Sequence, residues 1–391
     1  MSSEDDLVGR SGPLKAELVA FGRSTRFARE YRSAHADRFG GADPGTQHDF
    51  INFLDRFVLE HRTRDGRTVV EQFVAARPDL PQTERTMLLG WRDVVEGVFE
   101  VQRYDGETAI MVNLVDELTY RVRSNVGLKL LDAVPPGTVM FARVAPVAGS
   151  WLMSGAIEVA PSGRRDEMCR AAIDIVHTCP AAVFRNPEKL ALGWRLHHAA
   201  RGHFIDFFGA DLVVVAGCDL AGRMDAFWDY HTQQIGASQP AAPDQEATSP
   251  NTQGCEHQHP VPRTPVPPTL ASAVTVGVVF DEVEGLSYLP EFRLLQEVFA
   301  DPALFADRRH REAVSGHLKS DSISPISLRR LAERDPDRAS QVFAQLLRKP
   351  HFVWRRDGEA LLRRYKASFF DRPPLPGVTP MSDRQTAFLR Q

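Results

Sequence analysis

The sequence predicts an α+β protein with N-terminal helices, a small antiparallel β-barrel-like unit, a proline-rich linker and a mainly helical C-terminal domain. Three observations predict this class. Apolar residues at 50–61 recur with the period of a helix. Five short segments between 98 and 159 have the length and alternation of strands. The stretch 236–269 contains eight of the 27 prolines and almost no large apolar side chain, which is typical of a linker.

Composition sets the broad limits. The 391 residues are 43% hydrophobic and 25% charged, which excludes a wholly disordered, collagen-like or coiled-coil chain and predicts two or three folded units. The sequence has no run of about 18 apolar residues, and its acidic start, MSSEDDLVGR, is unlike a signal peptide. We therefore expect a cytoplasmic protein that does not cross a membrane. Four cysteines without a CxxC pair predict reduced thiols and no disulfides.

Residues 1–96 are predicted to form a helical N-terminal region. One stripe of helical period consists of Phe50, Phe53, Leu54, Phe57, Val58 and His61. A second stripe consists of Met87, Leu88, Trp91, Val94 and Val95. Residues 97–160 are predicted to form the barrel-like unit, because apolar and polar residues alternate at 118–123 and Asp105-Gly106 suits a hairpin turn.

The remaining chain divides into four predicted parts. Residues 161–235 form an α/β helical region, in which the apolar run 212–216 predicts a strand. Residues 236–269 form a disordered Pro-rich linker. Residues 270–372 form a mainly helical basic domain that begins with a strand at 274–280, and Asp335-Pro336 predicts the start of one of its helices. Residues 373–391 form a tail.

One part of the chain resembles a known group of proteins. It comprises FLDRFVLEHRTRDGRTVVEQFVA (53–75), LPQTERTMLLGWRDVVEGVFEV (80–101) and VDELTYRVRS (115–124). Together these look like the core of uncharacterised bacterial proteins related to those carrying a SEC-C motif. The SEC-C element itself, a cysteine-rich zinc-binding tail, has no counterpart here. The resemblance therefore implies a fold, and it supplies no catalytic residues.

Charge placement gives the main functional indication. Residues 307–372 contain 16 Lys and Arg against 9 Asp and Glu, whereas the whole chain has a net charge of −4. The candidate nucleic-acid-binding residues are four arginine pairs: Arg308, Arg309, Arg329, Arg330, Arg355, Arg356, Arg363 and Arg364. Guanidinium groups suit phosphate oxygens, so nucleic acid or a nucleic-acid-associated protein is the expected partner. The alternative is that this basic part docks on the acidic remainder of the chain.

Other chemistries have weaker signals. Asp281, Glu282 and Glu284 follow a predicted strand and would serve a hydrolase, metal-dependent or not. A protein adaptor recognised through the Pro-rich stretch 260–268 is a further alternative. Cys255, His257 and His259 lie in the linker without a second ligand pair, and nucleotide-binding loops have no match, so we expect no structural metal and no cofactor. The sequence thus favours a non-enzymatic binding or regulatory module.

Overall fold

A computed structural model describes residues 4–43, 45–124, 134–160, 163–238, 266–371 and 373–389. The fold is mixed α+β, with a closed five-stranded barrel and a helical C-terminal region, which confirms the predicted class. The chain divides into two compact units. Unit 1 comprises Met1–Lys189 and Met381–Gln391, and unit 2 comprises Leu190–Pro380. No helix in the described parts combines the length and apolar character needed to span a membrane.

Helices of unit 1 precede and follow the barrel. They are α1 (Glu4–Gly22), α2 (Ala28–Phe39), α3 (Gln47–Leu59), α4 (Val69–Ala76), α5 (Gln82–Gly90), α6 (Arg165–Thr178) and α7 (Pro180–Val183). Local signals start them: Thr46 caps α3, and Thr68 with Glu71 forms a reciprocal capping box on α4. The apolar stripe predicted at 50–61 lies on α3 from Phe50 to Val58, whereas His61 lies beyond the end of the helix. Phe57, Val58 and Leu59 of α3 are buried.

Five strands form the barrel. They are β1 (Val95–Asp105), β2 (Thr108–Asn113), β3 (Thr119–Arg123), β4 (Val139–Val147) and β5 (Ser150–Val159). Their order around the barrel is β1-β2-β3-β5-β4. Neighbours are antiparallel except at β3 and β5, where a short parallel pairing joins Val122 to Trp151. The predicted turn after Asp105 joins β1 to β2, and Gly106 there has a φ of 58° that suits glycine.

A three-stranded sheet and helices form unit 2. Its strands are β6 (Leu212–Ala216), β7 (Thr275–Asp281) and β8 (Gly285–Pro290), all antiparallel with β7 in the centre. Its helices are α8 (Pro187–Phe208), which begins at the unit boundary, α9 (Gly217–Ser238), α10 (Phe292–Ala300), α11 (Arg308–Lys319), α12 (Ile326–Arg334), α13 (Pro336–Leu347), α14 (Trp354–Tyr365) and α15 (Ala367–Phe370). One further helix, α16 (Asp383–Leu389), belongs to unit 1.

The division of the chain differs from the one expected at the linker. Strand β6 precedes the predicted linker 236–269 and β7 follows it, yet the two pair along their whole length, from Leu212 with Val279 to Ala216 with Thr275. Backbone hydrogen bonds of a sheet join segments regardless of their distance in sequence, so this composition change does not separate two units. Of the linker itself, 239–265 lies outside the described residues, and α9 continues to Ser238.

Side-chain contacts set the starts of α13 and α14. Helix α14 starts at Trp354, and the carboxylate of Asp357 in its first turn accepts a hydrogen bond from Val353 N–H at 2.9 Å. The predicted tail 373–391 includes α16, which packs in unit 1. Asp335 does cap α13, because its side chain accepts a hydrogen bond from Arg338 N–H.

Candidate functional site

A basic groove lies in unit 2 between the end of α13 and the start of α14. Its volume is about 630 Å³. Leu347, Phe352, Ala360 and Leu361 supply apolar surface. The polar lining residues are Arg348, Lys349, His351, Arg356, Asp357 and Arg364. We call this set of lining residues, together with Pro350, the basic groove.

Helix ends position these side chains. Arg348, which follows the last residue of α13, has a left-handed φ of 53°, and Lys349 N–H donates to Ala344 O at 2.9 Å. Glycine is the usual residue in such a conformation, since a Cβ makes it unfavourable. The α14 helix starts at Trp354, whose N–H donates to Ser340 Oγ at 2.8 Å and whose ring stacks on Phe343. The turn between the two helices is therefore fixed, and its cations are exposed.

Charges in the groove do not balance. Four permanent cations face one carboxylate, which leaves a net charge of +3. Arg356 pairs with Asp357 at 2.8 Å. The side-chain hydrogen bond from Arg356, with that from Val353 N–H, lowers the pKa of Asp357 to about 2. Within the described part of the chain, Arg348, Lys349 and Arg364 have no carboxylate partner, so their charges are open to an external anion.

The structure separates the eight predicted arginines. Arg356 and Arg364 line the basic groove. Arg329 and Arg363 share Glu359, at 3.4 and 3.2 Å, and their guanidinium carbons lie 4.9 and 4.7 Å from the ring centroid of Phe370. These two have partners of their own.

The other four arginines lie elsewhere. Arg330 of α12 pairs with Asp211, which precedes β6, at 2.9 Å and with Asp281 of β7 at 3.0 Å, so it is a structural ion-pair residue. Arg308 pairs with Glu312 within α11. Arg309 and Arg355 are exposed but are outside the groove lining.

The carboxylates proposed for a hydrolase are also occupied. Asp281 accepts hydrogen bonds from Val283 and Glu284 N–H and from Arg330, and these contacts lower its pKa against the effect of burial. Burial raises the pKa of Glu284, whose carboxylate accepts a hydrogen bond from Ser324. Glu282 is exposed. Two of the three carboxylates therefore already hold partners within unit 2.

Histidine and cysteine side chains are the candidate metal ligands of the chain. Cys255, His257 and His259 lie outside the described residues. His177 and Cys179 are exposed in unit 1, and the buried His197 uses Nε2 on Asp281 O and Nδ1 on Gly377 N–H. In the ranges that the structure covers, no three His, Cys, Asp or Glu side chains form a group that could hold a metal ion.

Sequence reasoning missed three groove residues: Arg348, Lys349 and His351. A signal existed, because RKPHFVWRR at 348–356 holds four cationic side chains and a histidine in nine residues. Arg355 and Arg356 are the only adjacent arginines in this run, so arginine pairs alone do not indicate Arg348 and Lys349.

No protein-family model matches this chain, and no curated protein or solved structure matches it significantly. The resemblance of 50–160 to relatives of SEC-C-motif proteins consequently stays a prediction.

Proposed function

We propose that this protein is a non-enzymatic binding module that holds single-stranded nucleic acid in the basic groove of unit 2. The observation that carries the proposal is the set of three cations, Arg348, Lys349 and Arg364, that share one groove without a carboxylate partner in the described chain. Phosphate oxygens are the anions that Arg and Lys bind most commonly in nucleic-acid interfaces.

The shape of the groove favours a single strand over a duplex. Ligand pockets of roughly 300–1,000 Å³ enclose small molecules, and the groove falls in this range at about 630 Å³. It would admit a nucleotide or two but not a double helix about 20 Å across, whose groove-reading proteins present a protruding helix or ribbon. The apolar surface of Leu347, Ala360 and Leu361 suits the flat face of a base, and the cations beside it suit the phosphate.

Arg348 supports the proposal independently. A non-glycine residue with left-handed backbone costs on the order of 1 kcal/mol, and such residues concentrate at functional sites. Here the strained residue is also an exposed groove cation that has no carboxylate partner among the described residues. The free thiols Cys169, Cys179 and Cys218 suit a reducing compartment, so we place the protein in the cytoplasm.

The proposal is tested by binding of a fluorescein-labelled single-stranded oligonucleotide of about 12 nucleotides to the full chain. The groove variant carries Arg348→Gly, Lys349→Ala and Arg364→Ala. We expect its affinity at about 50 mM salt to fall by at least tenfold, since three phosphate contacts are lost. Arg348→Gly should keep or raise the melting temperature, because glycine relieves the left-handed backbone.

A charge-matched control separates the groove from net charge. The control variant carries Arg309→Ala, Lys319→Ala and Arg334→Ala, three exposed cations of unit 2 outside the groove lining. It loses the same total charge and should keep affinity within about threefold. Equal losses in both variants would make the interaction a diffuse charge effect. Absence of binding to native protein would reject the nucleic-acid proposal, and tight binding of an acidic peptide instead would favour an adaptor.

A further inference from the structure

The segment 381–389, which contains α16, behaves as a ligand of unit 1 although the chain reaches it through unit 2. Residues from Met381 onward belong to unit 1, while Leu190–Pro380 form unit 2. The segment contacts α6 and the turn that follows β2. The surface that receives it is formed by Glu100, Leu114, Val115, Glu117 and Lys189, and we call these residues the segment groove.

Gln385 anchors the segment. Its side chain is almost completely buried, at 1% exposure. Its Nε2 donates to Leu114 O at 2.8 Å and to Val115 O at 3.0 Å, and its Oε1 accepts from Lys189 Nζ at 2.9 Å. Both amide hydrogens and the amide oxygen of Gln385 are therefore bonded to the groove. This full use of one side chain is typical of specific recognition.

Charge and apolar contacts flank this anchor. Arg384 pairs with Glu100, and Ser382 Oγ donates to Glu117. Met381 and Phe388 pack against a buried cluster that includes Val98 and Val176. The segment thus presents a polar, a cationic and an apolar contact within nine residues.

The segment groove keeps its internal partners when the segment is removed. Glu100 still accepts from Arg165 and from Gln102 Nε2, and Lys189 still pairs with Glu117 at 2.9 Å. The turn that presents the Leu114 and Val115 carbonyls is held by its own bonds, Val115 N–H to Asn113 Oδ1 at 3.0 Å and Glu117 N–H to Asn113 O at 2.8 Å. Glu100, Glu117 and Lys189 each lose one contact to the segment but keep these others, and water can replace Gln385 at the Leu114 and Val115 carbonyls. A preorganised receptor surface of this kind permits exchange.

We infer that unit 1 carries a peptide-binding groove for a short helical segment with adjacent Arg and Gln, and that 381–389 is its exchangeable occupant. The same segment from a second copy of this chain is the partner that fits the groove in trans. The inference is independent of the nucleic-acid proposal, which concerns unit 2.

The test uses the full chain and a labelled peptide of residues 381–391. In the release variant, Arg384→Ala and Gln385→Ala remove the anchors of the resident segment. We expect the native-sequence peptide to bind the release variant at least tenfold tighter than it binds the native chain, whose groove is filled. A peptide with Gln385→Ala should lose at least tenfold in affinity for the release variant, since each unmet buried hydrogen bond costs about a factor of ten. A full chain with Ala387→Ser, a change at an exposed position of α16, should behave as native.

Each outcome decides the inference. A release variant that keeps a cooperative melt but does not bind the peptide overturns it, as does equal binding by native chain and variant. A release variant that no longer unfolds cooperatively also overturns it, because the segment would then be part of the core that unit 1 requires. Binding that the Gln385→Ala peptide retains would show that the anchor is misassigned.

Discussion

At the residue scale, the largest buried charge is Arg143, which lies on β4 with 1% exposure. It contacts the carboxylates of Asp55, Glu60 and Glu96. Asp55 is also buried and accepts from Lys15 at 2.5 Å and from Ser154 at 2.7 Å. Burial opposes the charged form of Asp55, but Lys15 and Arg143 lower its pKa, so the carboxylate is ionised in the folded unit. This network of ion pairs joins α1, α3 and the barrel wall.

Replacing Arg143 by Met should therefore destabilise the protein by about 3–5 kcal/mol, because the buried Asp55 loses one of its two cations. The measurement is urea-induced unfolding of the full chain. Arg103→Met in the same barrel is the control, since Arg103 is exposed, and it should change stability by less than about 0.5 kcal/mol. A loss below about 1 kcal/mol at Arg143 would show that the network does not form as described.

Three buried histidines of unit 2 give a second prediction at this scale. Burial lowers the pKa of His317 to about 4 and that of His231 to about 4, and it lowers the pKa of His197. His317 has both nitrogens bonded, Nε2 to Pro290 O at 2.7 Å and Nδ1 to Ser327 Oγ at 2.9 Å. In the unfolded chain these histidines take up protons near pH 6.5, which is above their pKa values in the folded protein. The contribution of these buried neutral histidines to the free energy of unfolding is therefore fully present above about pH 6.5. It is lost as the pH drops from about 6.5 to 4.

Denaturant unfolding at a series of pH values measures this effect. His317→Gln should be less stable at neutral pH. It should also reduce the slope of the free energy of unfolding against pH by up to about 1.4 kcal/mol per pH unit between about pH 6 and 4.5. His177→Gln, at an exposed position of unit 1, should leave the slope unchanged. A His317→Gln slope equal to the native one would mean that His317 titrates normally in the folded protein.

At the element scale, α10 packs closely against the central strand of the unit 2 sheet. A Cβ at Gly277 of β7 would lie 2.8 Å from the ring of Phe292, which is buried at the start of α10. Only glycine permits this approach. By contrast, a Cβ added at Gly316 of α11 would meet only open space, and the backbone there is ordinary helix.

Gly277→Ala should consequently destabilise the protein by about 1–3 kcal/mol through overpacking. Gly316→Ala should stabilise it by about 0.5–1 kcal/mol, since alanine reduces the entropy lost by the chain on folding. Thermal unfolding of the two variants beside the native chain checks both signs. Similar melting temperatures for both variants would contradict the close packing of α10 on β7.

Local signals explain which elements were predictable. Capping at Asp335, the hairpin turn after Asp105 and the alternation at 118–123 each depend on a few adjacent residues, and the structure has α13, the β1–β2 turn and β3 there. The pairing of β6 with β7 was not predictable in this way. It joins residues about 60 positions apart, and the proline-rich stretch between them indicated separation instead.

At the scale of the whole molecule, the candidate site was predicted only in part. The sequence located the excess positive charge in 307–372, and Arg356 and Arg364 do line the groove. It could not show which arginines keep an unpaired charge, because their partners are distant in sequence. Arg330 is neutralised by Asp211 and Asp281, which lie on other elements. Ion pairing through the fold, rather than charge density along the chain, selects the groove.

The salt dependence of oligonucleotide binding distinguishes groove cations that contact phosphate from cations that are paired within the fold. Single-strand contacts contribute a slope of about −0.7 each in log K against log salt, so the groove variant should be flatter than the native chain by about two units. The control variant and Arg330→Ala should keep the native slope, since Arg330 is held by two carboxylates. A native slope in the groove variant, or a flattened slope in Arg330→Ala and the control variant alike, would show that the unpaired groove cations do not carry the binding.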